Sequence, residues 1–269
     1  IEEIIKTGRL LKEEEYLQDP KVKAITDLTR IPEIGPALAD KLYSKGINSI
    51  ADLMEAYDKD KTILNSKQEI GLKYYSDLEK RIPRSEMEQW NEFFSNIFTE
   101  TIKDIKPSPK NAKIELVGSF RRNATSSGDI DVLISSSNQQ KTLMPAFIEK
   151  LLRTKMLDSE MVFSSGKTKF MGLGKINDTY RHIDIFYYSE KQYPFALLFS
   201  TGSGAFNIEM RSDAIKKGYT LSEKELKNGT TTVSKDDYLS DISKEYPIDE
   251  KDIFAFLGLK YVSPENRNS

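Results

Sequence analysis

Two aspartates beside an apolar run are the residues of this chain best suited to phosphoryl-transfer chemistry. Asp129 and Asp131 stand two apart in a strand-like segment, so their side chains should point the same way. A third carboxylate, Asp184, lies between apolar residues in another strand-like segment. Three close carboxylates repel each other unless they are protonated or neutralised by a cation. The pattern therefore predicts a pair of Mg²⁺ ions, which can hold the attacking and leaving oxygens of a phosphoryl transfer.

The stretch around these aspartates is rich in residues that suit a triphosphate. They are Gly118, Ser119, Arg121, Arg122, Ser127 and Gly128. A turn at the first glycine can expose backbone N–H groups, and one of the two arginines can pair with the β- and γ-phosphate oxygens. A Gly-Ser pair followed by a spaced Asp-x-Asp is typical of nucleotidyltransferases. The alternative is a solvated aspartate pair that the nearby arginines stabilise.

Composition limits the other chemistries. The 269 residues include no cysteine and one histidine, His182, which excludes disulfides, cysteine nucleophiles and zinc sites built from several imidazoles. A metal would be held by oxygen, which favours Mg²⁺. The net charge of −2 argues mildly against a nucleic-acid-binding protein, but local basic stretches occur at 72–84 and 119–122. No apolar run suits a bilayer span and no secretory signal is apparent, and the absence of cysteine fits an intracellular protein.

The first part of the chain should be helical. Helices are predicted over 1–16, 20–30 and 66–81, and Ser85 is expected to cap a long helix after Pro83. Between them, 30–53 should form two short helices joined by a hairpin. Backbone N–H groups from about Ile34 to Ala37 can then contact phosphates without reading bases, and carbonyls of the turn can hold a monovalent cation. An ordinary hairpin used only for packing is an equal alternative.

After Pro109 the pattern changes to strands mixed with helices. Strands are predicted over 113–120 and 129–136, with a turn and a short helical stretch between them. The remaining elements should be a helix over 141–154, antiparallel strands at 167–176 and 181–189, a helix beginning at 194–199, a helix ending at Gly218, and a tail of short strands and a small helix over 252–259.

Several motifs, agreeing in order and spacing, resemble the X family of DNA polymerases. They are GSFRR…SSGDIDVLI, RHIDI, FSTGSGAFNIEMR, QEIGLKYYSDLEKRIPR and YPIDEKDIFAFLGLKYVSPENR. The resemblance covers nearly the whole chain and implies an α+β fold. A helix-hairpin-helix DNA-binding subdomain (19–87) would be followed by a nucleotidyltransferase palm sheet (88–193) and a small α+β nucleotide-selecting subdomain (194–269). Residues 1–18 would be the remnant of an N-terminal lyase domain.

The resemblance also implies site residues. Asp129 and Asp131 match the carboxylates that hold both metals, and Asp184 matches the third, which contacts the catalytic metal and the primer 3′-OH. Triphosphate contacts are implied for Gly118, Ser119, Arg122, Ser127 and Gly128. The pocket around the incoming nucleotide and the templating base is implied for Phe199, Gly202, Asn207 and Arg211. Monovalent-cation carbonyls are implied for Thr29, Ile31 and Ile34, and DNA contacts for Gly35, Ala37, Thr168 and Lys169.

The implied activity is gap-filling DNA synthesis in base excision repair. The implied cofactors are two Mg²⁺ ions and one Na⁺ or K⁺ at the hairpin; the partners are gapped or primer–template DNA and dNTPs, with no membrane. We expect a monomer, in the nucleus if the source is eukaryotic and otherwise in the cytoplasm or at a viral replication site. The family's Schiff-base lysine would lie upstream of Ile1, and Lys6 is a poor substitute, so lyase activity is expected to be absent from this chain.

Other activities stay open. A template-independent polymerase or an RNA-tailing enzyme would use the same carboxylates. A non-catalytic DNA-end-binding module is a rival of another class, and three intact aspartates argue against it.

Some positions depart from the family pattern. Glu33 stands in the hairpin where the family usually has glycine, so it should bring a side chain near phosphate. Phe199–Ser200 stands where the family has a Tyr-Phe pair, which can alter the exclusion of ribonucleotides. His182 stands where the family commonly has arginine, and it serves either as a hydrogen-bonding spacer or as a source of pH dependence. Gly204 and Ile208 replace polar residues near the nascent base pair, so we expect looser fidelity.

Overall fold

The computed structural model describes residues 18–137, 142–233 and 249–268. The chain divides into two compact units, residues 1–76 and 77–269. The helix predicted over 1–16, and nearly all of the predicted lyase remnant at 1–18, lie outside the described residues. Within the described ranges no helix combines the length and the apolar character needed to cross a membrane.

The described part of the first unit is helical. Its helices are α1 (Pro20–Leu28), α2 (Pro36–Ser44), α3 (Ile50–Lys59) and α4 (Ser66–Lys73), and α5 (Tyr75–Leu78) follows at the junction of the units. The helix predicted over 66–81 is therefore wrong in its extent, because the backbone at Tyr74 (φ −101°, ψ 7°) interrupts it. Leu28, Leu42 and Leu53 are buried together in the core of this unit.

The turn predicted to offer backbone N–H groups, at about Ile34 to Ala37, lies at the end of the segment 29–35, which connects α1 to α2. Gly35 is the N-cap of α2 and Pro36 is in its first turn, as Pro prefers. Glu33 has φ 66°, in the left-handed region that favours glycine, and its carbonyl accepts a hydrogen bond from Gln68 Nε2 at 3.2 Å. Gly71 lies so close to the turn that a Cβ there would be 2.6 Å from the carbonyl oxygen of Pro32. The turn is therefore fixed from within this unit.

A five-stranded mixed sheet forms the centre of the second unit. Its strands are β2 (Lys113–Leu116), β4 (Ile130–Ser136), β5 (Leu157–Ser165), β6 (Lys169–Gly174) and β7 (Arg181–Ser189), in the order β2-β4-β7-β6-β5. β4 and β7 are parallel and the other neighbours are antiparallel, so the predicted pairing of 167–176 with 181–189 is confirmed. Two-residue strands β1 (Ile82–Pro83) and β3 (Ser126–Ser127) pair beside it.

Several details of the sequence prediction for this unit are wrong. The strand predicted over 113–120 ends at Leu116, and α7 (Gly118–Arg121) forms a single helical turn after it. The long helix α6 (Arg84–Asp104) has Pro83 as its N-cap, so Ser85 lies inside the helix. Asp129 precedes β4 instead of lying in it. The proposed boundary between residues 87 and 88 falls within α6 and stays a prediction.

Helices cover the sheet and form a shared apolar core with it. α6 contributes Trp90 and Phe94, and α8 (Leu143–Arg153) contributes Phe147, to the same buried cluster as Val132 of β4 and Ile185 of β7. Burial of these faces is the main favourable contribution to the stability of the sheet.

The C-terminal part of the second unit has a core of its own. Its elements are α9 (Tyr193–Thr201), α10 (Gly204–Lys216), β8 (Tyr219–Leu221), β9 (Leu226–Asn228), β10 (Thr231–Thr232) and α11 (Glu250–Phe256). The strands form a separate antiparallel sheet, and Phe206, Met210 and Phe254 are buried together in this core. Phe195 and Leu198 of α9 also belong to this core, whereas Ala196 and Leu197 pack with residues of the central sheet.

Candidate active site

The parallel pairing of β4 and β7 brings two of the predicted carboxylates side by side. Asp131 is directly opposite Asp184 in the register of the two strands. Asp129 lies just before β4, is exposed, and lines the same cleft. This cleft, of ≈ 520 Å³, contains most of the predicted site. The predicted residues that line it are Gly118, Ser119, Arg122, Gly128, Asp129, Asp131, Asp184, Phe199, Gly202 and Asn207.

The carboxylates lack the neutralisation that their position demands. Burial, together with the charges of Asp129 and Asp184, raises the pKa of Asp131 to about 8. Burial also raises the pKa of Asp184, against the opposing effect of His182 and Lys169. Asp184 Oδ1 is buried without a hydrogen-bond partner in the described part of the chain, and His182 Nδ1 is 3.4 Å away. The cluster therefore favours a positive ligand.

The carboxylates fit Mg²⁺ as ligands that need completion by substrate. Within the described ranges, no three side chains of Asp, Glu, His or Cys are already arranged to hold a metal ion. Mg²⁺ is usually bound through one or two carboxylates together with water and substrate phosphates, so it does not require a closed protein cage. The buried, unpartnered Oδ1 of Asp184 and the raised pKa of Asp131 agree with this donor set.

Close packing at Gly118 explains why a glycine precedes the predicted phosphate site. Gly118 has φ 60°, and a Cβ there would be 2.6 Å from Asp131 Oδ2. Any other residue would strain the backbone and displace the carboxylate. Ser119 Oγ and Ser127 Oγ are 2.8 Å apart, which ties α7 to β3. Ser127 is buried and supports the cleft, although it does not line it.

The structure gives different surroundings to the two adjacent arginines, between which residue type alone could not choose. Arg121 is half-buried and contacts Glu115, Glu250 and the hydroxyl of Thr201, all at 2.7–2.9 Å. Although burial alone would lower the pKa of Arg121, Glu250 and Glu115 outweigh it and raise the pKa. Arg122 lines the cleft near Asp131 instead. Arg121 is thus held in an ion-pair network, whereas Arg122 faces the cleft.

Arg81 is a cleft residue that the sequence reasoning missed. Its guanidinium donates to Ser126 Oγ at 3.1 Å and to the Ser126 carbonyl at 2.6 Å. A Cβ at Gly128 would be 3.2 Å from Arg81 Nη1, so this glycine leaves room for the arginine. The feature of the sequence that could have indicated Arg81 was the basic stretch at 72–84, which ends beside β1.

A wall of the cleft is formed by α9, α10 and the glycine turn between them. Asn207 Nδ2 donates to the Phe199 carbonyl at 2.8 Å, and the Arg211 guanidinium lies 4.8 Å from the centre of the Phe199 ring. Arg211 thus supports a lining residue. Phe186 and Ser200 line the cleft and were not predicted as nucleotide contacts. Ile208, on α10, is 71% exposed.

Other predicted residues lie apart from the cleft lining. Lys169 Nζ lies 5.4 Å from the centre of the Phe186 ring and acts electrostatically on Asp184. The Thr168 carbonyl accepts a hydrogen bond from Tyr187 N at 2.8 Å.

The hairpin residues belong to the other unit. They are Thr29, Ile31, Ile34, Gly35 and Ala37. The Ile31 and Ile34 side chains are buried, and the Ile31 carbonyl accepts from Ile34 N at 3.1 Å. The proposed roles of all five stay predictions.

Buried contacts hold the strand that carries Asp184. The Arg181 guanidinium donates to both carboxylate oxygens of Glu86, at 2.8 and 2.7 Å, and Trp90 Nε1 donates to the same carboxylate at 3.4 Å. His182 stacks on Phe163 with ring centres 5.8 Å apart. These contacts fix the beginning of β7 from both sides of the sheet, because successive side chains of a strand alternate.

Comparison with known proteins covers nearly all of this architecture. Three family models match: the DNA polymerase beta palm over residues 81–190, the DNA polymerase beta thumb over 196–268, and the fingers domain of DNA polymerase lambda over 26–79. The palm match contains the three aspartates, and the thumb match contains α10 and the part of α9 from residue 196 onward.

Curated relatives agree with these family models. The chain is 30% identical to DNA polymerase lambda of Arabidopsis thaliana, with 100% of this chain and 51% of the relative aligned. It is 27% identical to DNA polymerase lambda of Rattus norvegicus (99% and 45%) and 24% identical to DNA nucleotidylexotransferase of Xenopus laevis (100% and 57%). The chain thus spans about half the length of these relatives. With the carboxylate pair, the cleft and all three family models in agreement, the chain belongs to the X family of DNA polymerases.

Proposed function

We propose that this chain is a DNA-templated, gap-filling DNA polymerase that adds dNMP to a primer 3′-OH and acts in base excision repair. The observation that carries the proposal is the in-register pair of Asp131 and Asp184 in a cleft that also contains Arg122 and Arg81. Concentrated negative charge beside guanidinium groups suits a substrate that carries both cations and phosphates. Family membership supports the same activity.

In this proposal the 3′-OH attacks the α-phosphate in line, and pyrophosphate leaves. Two Mg²⁺ ions, held by Asp129, Asp131 and Asp184, would lower the pKa of the hydroxyl and neutralise the triphosphate. Asp184, through its unpartnered Oδ1, orients the hydroxyl. Arg122, Arg81 and the backbone N–H groups at Gly118–Ser119 hold the phosphates and stabilise the charge that develops on the leaving group.

The rest of the chain would position nucleic acid and nucleotide. Phe199, Gly202 and Asn207 form the nucleoside side of the cleft, with Arg211 behind the phenyl ring. Backbone N–H groups at Gly35 and Ala37 would contact DNA phosphates, and the carbonyls of Thr29, Ile31 and Ile34 would hold a Na⁺ or K⁺ ion. Thr168 and Lys169 would contact the template strand. We retain the proposed division into 19–87, 88–193 and 194–269 for these tasks.

Single-nucleotide gap filling tests this function. The chain, with Mg²⁺ and each dNTP in turn, is expected to extend the primer with the complementary nucleotide only. Asp184→Asn and Asp131→Asn should each lower kcat by about a thousandfold or more because they remove carboxylates from the reacting centre. Asp178→Asn, at an exposed turn outside the cleft, is the matched control and should extend normally. Equal extension by all three variants would refute the proposed site.

A second candidate is template-independent addition, which the match to the Xenopus nucleotidylexotransferase favours. Extension of a single-stranded primer, without template and with mixed dNTPs, distinguishes it. Strong addition there, with no preference for the complementary nucleotide at a gap, would replace the templated proposal. DNA binding with no extension under any of these conditions would favour a non-catalytic end-binding module.

A further inference from the structure

Asn268, near the end of the described chain, reaches back to the arginine that lines the cleft. Arg122 Nε donates to Asn268 Oδ1 at 2.8 Å. On the same guanidinium, Nη1 donates to the Thr201 carbonyl at 2.6 Å. A guanidinium has five N–H donors in a rigid plane, so two fixed acceptors orient the whole group and leave donors for a ligand.

The amide of Asn268 is oriented by a second partner. Asn268 Nδ2 donates to the Glu265 carbonyl at 3.0 Å, with a longer contact of 3.5 Å to the Arg122 carbonyl. Since both contacts of the nitrogen are to carbonyl oxygens, the amide oxygen must be the atom that faces the guanidinium. The side chain therefore acts as an acceptor of fixed direction, although the residue itself is exposed.

The backbone that carries Asn268 is anchored by its neighbour. Arg267 is fully buried, pairs with Glu250, and donates to the Val262 carbonyl through Nε at 2.9 Å and Nη2 at 2.7 Å. The Arg267 carbonyl accepts from Ser203 N at 3.2 Å. Asn268 thus extends from a rigid point of the fold, as an acceptor needs if it is to orient a flexible arginine.

Gly202 forms the other side of the space that holds the Arg122 guanidinium, which we call the Arg122 slot. Gly202 has φ 68°, and a Cβ there would be 3.2 Å from Arg122 Nη1. The guanidinium thus lies between the glycine turn, the Thr201 carbonyl and the Asn268 amide, and it is attracted toward Asp131 and Asp129. This is a built slot, and Asn268 is the part of it that none of the sequence motifs assigned.

We propose that Asn268 is a positioning residue for nucleotide binding, which holds Arg122 with its remaining N–H groups toward the triphosphate of a dNTP. The inference deepens the proposed polymerase function and rests on it. Without the amide, the long arginine side chain samples more rotamers and loses entropy when it meets the phosphates. The effect should thus appear as weaker nucleotide binding and hardly at all in the chemical step.

Asn268→Ala tests the proposal, with Asn266→Ala as its matched control. Asn266 lies two residues away, and its Nδ2 donates to Ser263 Oγ at 2.8 Å. Asn268→Ala is expected to raise the KM for dNTP in gap filling by about threefold to tenfold with kcat changed less than about twofold. Asn266→Ala should leave both constants unchanged. Thermal unfolding of the two variants checks that neither has lost its fold.

Double substitution with Arg122→Met makes the assignment specific. If Asn268 acts through Arg122, then Asn268→Ala should have no further effect on KM in the Arg122→Met background. An unchanged KM in Asn268→Ala, an equal effect of Asn266→Ala, or full additivity with Arg122→Met would each overturn the proposal.

Equilibrium binding separates this inference from the proposed function. The dissociation constant of a dNTP is measured on gapped DNA with Ca²⁺ replacing Mg²⁺. If the parent binds dNTP but never extends a primer, the polymerase proposal fails while weaker binding by Asn268→Ala still supports the slot. If the parent extends primers and Asn268→Ala binds dNTP normally, the slot proposal alone fails. A parent that binds no dNTP overturns both.

Discussion

The carboxylate cleft and the helical hairpin are both proposed to hold phosphate, but by different means. In the cleft, side chains with formal charge converge, and burial together with the charges of Asp129 and Asp184 raises the pKa of Asp131 to about 8. In the hairpin, backbone groups are the expected contacts, and the unusual feature is a backbone conformation: Glu33 at φ 66°. The first site depends on residue type, whereas the second depends on the shape of the turn.

Because of this difference, substitutions in the cleft and in the hairpin should have different effects. Replacing a buried carboxylate of the cleft, such as Asp131, changes an electrostatic balance that water screens poorly, so each charge matters strongly. Replacing a residue in the hairpin changes turn strain and the field near the surface, where water and salt weaken the effect. The following predictions test the contrast, beginning with the largest expected effect.

Asp131→Asn should stabilise the metal-free protein at high pH while it abolishes activity. The folded pKa of about 8 exceeds the unfolded value of about 3.9, so the folded state binds the extra proton between them and stability falls as pH rises through that interval. Asparagine cannot ionise, so the variant should be more stable at about pH 8.5 by at least about 1 kcal/mol, with an upper limit of about 5 kcal/mol. The difference should shrink toward about pH 4.5.

Urea unfolding in EDTA at several pH values measures this, and Asp178→Asn is the control for a solvated aspartate. If the difference in unfolding free energy between the parent and Asp131→Asn does not depend on pH, the cleft does not raise the pKa of Asp131.

Arg121→Met should destabilise the second unit by about 3 kcal/mol, because it leaves the buried Glu250 and the Glu115 carboxylate short of a partner. Arg122→Met is the matched substitution at the adjacent position. It should cost less than about 1 kcal/mol, since it removes hydrogen bonds near solvent and unpairs no buried ion. Denaturant unfolding of both variants measures the loss of stability. Similar losses would mean that the two arginines do not have separate structural and ligand-binding roles.

Arg122→Met should instead raise the KM for dNTP by about tenfold to a hundredfold, as expected when a charge-assisted contact to phosphate is removed. Arg121→Met is expected to change KM much less at a temperature where it remains folded. Steady-state gap filling measures both. A larger KM effect at Arg121 would assign the triphosphate to the other arginine.

Glu33→Gly should have the smallest effects, and they should be favourable. Glycine relieves the left-handed strain, and after its own entropy cost the gain should be about 0.5–1 kcal/mol. Removal of a negative charge near the expected phosphate should tighten DNA binding about twofold to fivefold at moderate salt. The variant Glu33→Ala separates the two causes because it removes the charge and keeps the strain. It should share the gain in DNA affinity without the gain in stability, and the KM for dNTP should not change in either.

The positions of the aspartates were predictable because strand rules convert sequence into geometry. Apolar neighbours on both sides of Asp131 and Asp184 indicate strands, and period-two alternation assigns their faces. The parallel register that pairs them was not predictable, since it depends on the crossover through α8, β5 and β6. β5 itself was missed because its buried apolar residues, Leu157, Met161 and Phe163, are not spaced at a regular period of two. Bulges interrupt the pairing of this strand.

Side-chain direction in short turns was also beyond the sequence. Arg121 and Arg122 are chemically identical neighbours, and only the single helical turn of α7 sends one to Glu250 and the other to the cleft. Glu33 was identified as a departure in charge, but its positive φ depends on how the turn is enclosed by α4. Ser85 was assigned as a cap by residue preference alone, whereas the N-cap is Pro83, two residues earlier, in the strand pair Ile82–Pro83 with Ser126–Ser127.

The parallel pairing of β4 and β7 is also useful for protein engineering. The spacing of the two acidic groups is set by the interstrand distance of about 4.8 Å, so it does not rely on neighbouring side chains. One extra residue inside either strand would turn its acid to the opposite face of the sheet. The exposed bend at 177–178, outside the ladder, can accept a reporter peptide or an affinity tag while the spacing of the two aspartates is preserved.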